Sequence, residues 1–344
     1  MRAIHFLQHG GLEEIRYGEL PDPSPGPGEV LVRVRWAALN RSDLFTLQGW
    51  PGLDLEMPHI LGGDGAGQVA SPGPEVQGFA EGEWVVVNAN LSDGTCERCQ
   101  AGMDNQCQNW HLLGETRRGT YAEAVVVPAG NLLKIPEAFD PRKAAAAGLV
   151  YLTAWHSLVT RGGLQAGESV LVVGASGGVN SACIDIAKTL GARVFVVGSN
   201  PEKLAFAETL GADVLIDRSK EPNWSKAVFL ASDKRGVDVV VDNVGAPTMV
   251  ASLRCARKGG RILTVGNTAG PTFEFDNRYL FYKHLSILGS TMGTRGDFAQ
   301  VMGLVFEGRL RPALDRDFPL PEAAKALARM QRGEHLGKIT LSIE

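Results

Sequence analysis

The chain has 344 residues, 44% of them hydrophobic, with 34 Lys and Arg against 38 Asp and Glu for a formal net charge of -4. That length accommodates two or three domains with sizeable cores, and the weak negative charge excludes the basic field on which nucleic-acid binding draws. The opening MRAIHFLQHGG has no apolar signal core, and no apolar run approaches the roughly 20 residues of a membrane span, so a cytoplasmic protein acting on a small molecule is expected.

Residues 1–135 read as β-rich and turn-rich. PDPSPGPG at 21–28 is a turn, after which Val30, Val32, Val34 and Trp36 alternate with Leu31, Arg33 and Arg35 as in a half-buried strand. Short strands follow at 68–70, 83–87 and 121–127, between Gly and Pro clusters. Three of the five cysteines crowd into residues 96–107, a pattern that fits a local metal site in a reducing compartment better than a disulfide framework. Asp140 caps a helix that Pro141 opens and Lys143 to Ala147 favour, and a linker is placed near Gly148 to Tyr151.

From Ser169 onward, strand and helix alternate. Ser169 to Val173 is a β-branched run suited to a buried parallel strand, Gly174 to Gly178 is a turn, and Val179 to Leu190 carries apolar residues at helical spacing. The free N–H groups of that helix face the turn, and Gly177 lets a pyrophosphate approach the backbone, as a dinucleotide site requires. A ligand-free turn would share these glycines. The second strand, Arg193 to Val197, ends about 20 residues after the turn, where a ribose-reading residue belongs, and this favours the nucleotide. Helices at 201–210, 223–232 and 248–256 and strands at 214–216, 237–242, 261–265 and 285–288 follow, so an α/β doubly wound parallel sheet is expected. Two helices, 297–307 and 322–331, and a strand at 338–343 close the chain.

NRSD at 40–43, GGDGAG at 62–67, the cysteine lobe at 93–107, LTAW at 152–155, ASGGVN at 175–180 and HLGKITL at 335–341 occur in this order. With them the chain resembles, along its length, the medium-chain dehydrogenase/reductase superfamily of zinc alcohol dehydrogenases and quinone oxidoreductases. The resemblance implies a GroES-like β-rich catalytic domain over 1–149, to which 293–344 returns, and a Rossmann dinucleotide-binding domain over 150–292. It also implies a cleft between them and a homodimer or homotetramer joined through the Rossmann sheet.

Matched motif by motif, the positions of that family's catalytic-zinc Cys, His and Cys and of the neighbouring Glu are Asn40, Gly63, Leu149 and Asp64. No tetrahedral N/S site can be assembled from them. His59 lies four positions from the Gly63 slot. For the structural zinc of the family, Cys96, Cys99 and Cys107 match three of four cysteines and Asp93 stands at the fourth, an acceptable oxygen ligand. His111 is an alternative fourth ligand, and a metal-free loop is the other reading. Cys183 and Cys255 read as core residues.

The second strand of the dinucleotide unit runs into Gly198-Ser199-Asn200, with Lys203 one turn on, in place of an acidic residue. No carboxylate repels a 2′-phosphate there, so NADP(H) is expected ahead of NAD(H), with Arg218 a further cation. Asn180 replaces the family's third glycine. The resemblance assigns Gly177 and Gly178 to the phosphate turn, Arg41 and Lys338 to the pyrophosphate, Thr153 and Val179 to the nicotinamide face, and Val265 and Gly266 to the carboxamide. Without a zinc electrophile, a quinone or an α,β-unsaturated carbonyl is a better hydride acceptor than an unactivated aldehyde, because conjugation spreads the developing charge. The Ser42 hydroxyl and the Asn40 amide are the expected donors, with Asp43 orienting them or Arg41, and Tyr151 a further proton donor. Asn40 and Asp43 equally suit capping of the turn before Leu44. Phe45, Trp50, Trp110 and Phe281 indicate an apolar pocket. An alcohol dehydrogenase with an altered site and a catalytically silent NADP-binding protein are the competing readings.

Overall fold

The alternation at 30–36 becomes the strand Glu29–Ala38 in a computed structural model that describes residues 1–344. Val30, Val32 and Val34 point inward and are at most 1% exposed. Around this strand a seven-stranded sheet assembles in the order Leu132–Lys134, Trp84–Val87, Asp64–Pro72, Glu29–Ala38, Lys338–Ser342 and Leu314–Pro319, with Ala124–Pro128 also paired to Glu29–Ala38. A three-stranded sheet, Arg16–Glu19, Arg2–Phe6 and His59–Ile60, and a two-stranded one, Asn90–Leu91 with His111–Leu112, make up the rest of the β-structure of this unit. The last strand of the chain pairs antiparallel with the first long one, Thr340 opposite Ala38 and Ser342 opposite Trp36. Residues 1–149, 294–308 and 312–344 form one unit, and residues 150–293 with 309–311 form the other.

In the second unit all six strands are parallel, in the order Val214–Asp217, Arg193–Gly198, Ser169–Val173, Val237–Asp242, Ala256–Thr264 and Ser286–Gly289. Numbered along the unit this is 3-2-1-4-5-6, so the strand order reverses between Ser169–Val173 and Val237–Asp242, the switch point where ligands bind in doubly wound folds. Val170 to Val173 are at most 1% exposed, and Leu171 packs in one core with Phe195, Val240 and Leu253, as a strand buried on both faces requires. No helix is long and apolar enough to cross a membrane.

The division between the units falls inside the expected stretch, between Leu149 and Val150, but its conformation differs from expectation. The linker placed at Gly148 to Tyr151 is instead the middle of a continuous helix, Pro141–Trp155, which runs on as a π-helical segment to Arg161. Gly148 is there for closeness and not to break the helix. A Cβ at that position would stand 2.6 Å from Asp64 Oδ1, so only glycine lets the helix pass against the carboxylate.

Candidate active site

Three separated segments of the first unit converge on Asp64, which begins the strand Asp64–Pro72 and has no exposed surface. Strand pairing sets Asp64 opposite Ala38, and the return of Lys338–Ser342 along the other side of Glu29–Ala38 brings Lys338 to the same place. The Lys338 Nζ donates to Leu39 O at 2.6 Å, Asn40 Oδ1 at 2.7 Å and Asp64 Oδ2 at 2.9 Å. Asn40 Nδ2 donates to Asp64 Oδ2 at 2.9 Å and lies 3.4 Å from Ala38 O, while Leu149 N–H donates to Asp64 Oδ1 at 2.6 Å. An ammonium 4% exposed and a carboxylate 1% exposed form an ion pair whose remaining hydrogen-bonding capacity is filled by neutral partners. That satisfaction makes burial of both charges tolerable.

This cluster corrects two expectations. Lys338 does not face solvent as a pyrophosphate contact must; all three of its donor directions are used inside the first unit. Asn40, 5% exposed with both ends of its amide engaged, has no donor left for a substrate oxygen and acts as a strut between Lys338 and Asp64. Asp43 lies one turn into the helix Arg41–Gln48 and is 2% exposed. Its Oδ2 accepts from Asn40 N–H at 2.7 Å and from the Tyr121 hydroxyl at 2.6 Å, which is the capping reading of NRSD. Burial pushes the Asp43 carboxyl up to about 6 despite both bonds and the nearby Lys338 charge, and it drives the Tyr121 phenol well above its ordinary value.

Sequence reasoning placed Tyr121 in a strand and missed this role. The available signal was a tyrosine in an apolar run, whose buried hydroxyl needs a partner.

Ser42 and Arg41 occupy the first turn of the same helix, both half-buried, and neither side chain has a hydrogen bond or ion pair. Partial desolvation lowers the Arg41 guanidinium's proton affinity. Phe45, on this helix, and Trp50, just beyond it, are 39% and 42% exposed.

Of the family's metal-ligand positions, Gly63 offers no side chain and faces mainly hydrocarbon. A Cβ added to Gly63 would lie 3.2 Å from Leu149 Cδ1, 3.3 Å from Leu113 O and 3.5 Å from Ala89 Cβ. The nearby imidazole, His59, is 2% exposed, turned to Gly114 O at 3.4 Å and packed edge-on against Phe6 at 5.5 Å, and burial pulls it down to about 4.

The cysteine lobe is different. The ligand atoms of Asp93, Cys96, Cys99 and Cys107 lie within 4.8 Å of one another, with Cys96 Sγ 3.5 Å from Cys99 Sγ and 3.8 Å from Cys107 Sγ. Thiolates about 2.3 Å from a tetrahedral zinc stand roughly 3.8 Å apart, so the donor set fits that ion. The backbone N–H groups of Asp93 and Asn109 donate to Cys107 Sγ at 3.4 and 3.3 Å, and Asn109 Nδ2 orients Asp93 Oδ2 at 2.9 Å. His111 bonds instead with Thr116 and Arg117.

In the second unit, Gly177 caps the helix Gly178–Thr189, whose first turn points unpaired N–H groups at the glycine turn. A hollow beside it is lined by Gly174 to Gly177, Ser199, Lys203 and Arg218, with no carboxylate in its wall. Gly174 has φ +109°, and a Cβ there would meet Asn180 Nδ2 at 2.4 Å. Asn180 takes up the space of the family's third glycine by donating to Val173 O at 3.2 Å. Asn200 caps the helix Pro201–Thr209 through Lys203 N–H, leaving its NH₂ free to donate. Val179 is half-buried in the first turn after Gly178, and Val265 and Gly266 follow the strand Ala256–Thr264, with Val265 N–H on Asn243 Oδ1 at 3.0 Å. Thr153 is buried against Met292 Sδ at 3.8 Å. The Tyr151 hydroxyl donates to Asp185 Oδ2 at 2.7 Å and is 3% exposed, so it is a structural tie and not a proton donor. Phe281 is 60% exposed.

A family model described as an alcohol dehydrogenase GroES-like domain matches residues 26–137, and one described as a zinc-binding dehydrogenase matches residues 178–307. An acryloyl-coenzyme A reductase of Metallosphaera sedula is 34% identical over 99% of this chain and 100% of its own length. A crotonyl-CoA reductase of Streptomyces collinus is 30% identical over 95% of this chain and 81% of its own. A solved NAD-dependent alcohol dehydrogenase superposes with a TM-score of 0.96 at 41% identity, covering 100% of both chains.

Proposed function

Since this chain belongs to the medium-chain dehydrogenase/reductase superfamily and is an NAD(P)-dependent oxidoreductase, we propose that it reduces an α,β-unsaturated carbonyl, with no catalytic metal and with NADPH as donor. The observation that carries this reading is the filled metal slot. Leu149 and Ala89 occupy it with hydrocarbon, and an ammonium already neutralises Asp64. A second cation there would meet Lys338 and lack every N/S ligand. Electrophilic assistance is therefore left to hydrogen bonds, which suffice when conjugation carries the charge to an enolate oxygen.

When bound, the reduced nicotinamide supplies the hydride, which this reading delivers to the substrate β-carbon. The unpaired Ser42 hydroxyl is the donor assigned to the oxygen that gains charge, and Arg41 is the cation assigned to the pyrophosphate. Asn40, Asp43, Asp64 and Lys338 fix the entry of their helix and are positioning residues. Gly177, Gly178 and Val179 are assigned to the phosphate turn and nicotinamide face. Ser199, Asn200, Lys203 and Arg218 are assigned to the 2′-phosphate, and Val265 and Gly266 to the carboxamide. Asp93, Cys96, Cys99 and Cys107 would hold one structural zinc, which clamps the lobe and takes no part in the chemistry. The names of the relatives favour an enoyl thioester as the acceptor.

A second reading, alcohol dehydrogenation with NAD, draws on the 41% identical solved structure. One experiment separates them: metal content per chain, beside oxidation of NADPH and NADH with a crotonyl thioester, an enone, a quinone and an aldehyde. One zinc per chain, NADPH preferred and conjugated acceptors reduced is the expected result. Two zincs per chain, or aldehyde turnover abolished by chelation, overturns the proposal.

A further inference from the structure

Six cations, Lys234, Arg235, Arg254, Arg257, Lys258 and Lys283, line a hollow of about 470 Å³ in the second unit, floored by Phe229 and Ala256. No carboxylate lines it. Asp238 lies behind the wall and pairs with Arg235 at 2.9 Å and with Arg257. Lys283 Nζ is fixed by Leu253 O and Arg254 O, both at 3.0 Å, at the C-terminal end of the helix Met249–Cys255. The Arg254 guanidinium lies 5.8 Å from the Tyr279 ring centre and bonds its hydroxyl through Nε, leaving the outer edge of the fork open. The Lys234 and Lys258 side chains are exposed and have no hydrogen bond or ion pair. Lys234 and Asp233 hold left-handed backbone at φ +60° and +55° in the turn that presents Lys234, a conformation that L residues seldom adopt twice running.

The hollow stands at the N-terminal ends of Val237–Asp242 and Ala256–Thr264, whereas the glycine turn follows the C-terminal end of Ser169–Val173. In a parallel sheet these are opposite edges, so the two sites are separate. Six like charges repel one another, and a concentrated anion relieves that repulsion. Guanidinium forks match phosphate oxygens bidentately, and the volume is that of a small-ligand pocket.

We infer that this hollow binds a small molecule bearing a diphosphate group. A long polyanion fits it poorly, because the chain as a whole carries a net charge of -4 and its surface beyond the hollow is negative on balance.

The test is calorimetric titration of the full chain with inorganic pyrophosphate and with ADP, for the wild type and for K234Q/K258Q. Both lysines are unpaired, so the variant should keep the wild-type melting temperature and NADPH oxidation rate. The expected result is a diphosphate site in the wild type whose affinity the double substitution reduces at least about tenfold. Equal affinity for the two probes assigns a free diphosphate. Tighter ADP binding that F229A abolishes assigns a nucleotide stacked on Phe229. Identical stoichiometry and affinity in wild type and K234Q/K258Q, or tighter binding of a polyglutamate peptide than of pyrophosphate, overturns the inference.

Discussion

Replacing Lys338 by Met tests whether the buried ion pair organises the first unit. The methylene stem is retained, but Leu39 O, Asn40 Oδ1 and Asp64 Oδ2 each lose a charged donor and Asp64 is left as a buried anion. Removing one partner of such a pair costs about 3–5 kcal/mol. Asp64 keeps the bonds from Leu149 N–H and Asn40 Nδ2, which places the expected loss near the lower end, at about 3 kcal/mol. K338M/D64N removes the orphaned charge and should recover most of that loss, leaving about 1 kcal/mol for the missing hydrogen bonds. Urea unfolding followed by tryptophan fluorescence, to which Trp36, Trp50, Trp84 and Trp110 of the first unit contribute four of six indoles, reads both values in a W155F/W224F background. A single variant within 1 kcal/mol of wild type, or a double variant no better than the single, would refute the argument.

Asp43 gives a pH dependence of definite sign. Its carboxyl rises on folding from the ordinary 3.8 to about 6, so the folded state binds the proton more tightly and stability increases as pH falls from 6 toward 4. The gain is about 3 kcal/mol at most and should be absent from Asp43→Asn, whose amide oxygen still accepts from Asn40 N–H and Tyr121; urea midpoints from pH 4 to 7 compare the two. Gly148→Ala gains up to about 1 kcal/mol of helix propensity but forces a Cβ to 2.6 Å from Asp64 Oδ1, for a net destabilisation of about 1–2 kcal/mol by the same assay. Cys107→Ser should lower zinc from one per chain to essentially none, measured by atomic emission, with a fall in melting temperature, whereas Asp93→Cys should retain the metal.

The second unit was legible because its central strands, Ser169–Val173, Arg193–Gly198 and Val237–Asp242, are buried apolar runs. Ser169–Val173 and Val237–Asp242 fall on the residues that period and composition pick out. The stretch 148–151 does hold the division between the units, but its helical conformation was not legible, because a glycine inside a helical pattern reads as punctuation, while the reason for Gly148, the carboxylate of Asp64 across 84 positions of chain, is a tertiary contact that no local window contains. The strands Arg2–Phe6 and Leu314–Pro319 were missed for a related cause: short segments of mixed polarity carry little periodicity. The absence of metal ligands was legible residue by residue at Asn40, Gly63 and Leu149. What replaces them was not, since the partner of Asp64 lies 274 positions away.

The placement of Lys338 follows from that absence. A buried carboxylate at Asp64 requires either a metal or another positive charge, and with Asn40, Gly63 and Leu149 at the ligand positions only a side-chain cation can serve. The return of the C-terminal strand beside Ala38 brings a lysine within reach, and Asn40 accepts from it and donates to Asp64, closing a ring of three residues. Such a ring is rigid and inward-facing: it holds the helix Arg41–Gln48 but offers no donor to a substrate. Arg41 and Ser42, the two residues of NRSD with unengaged side chains, are what the ring presents. On the proposed metal-free reading, the residues at the ligand positions thus also build the support for the hydrogen-bonding donor. Loss of Ser42 should therefore lower turnover without altering stability, whereas loss of Asn40 should lower both.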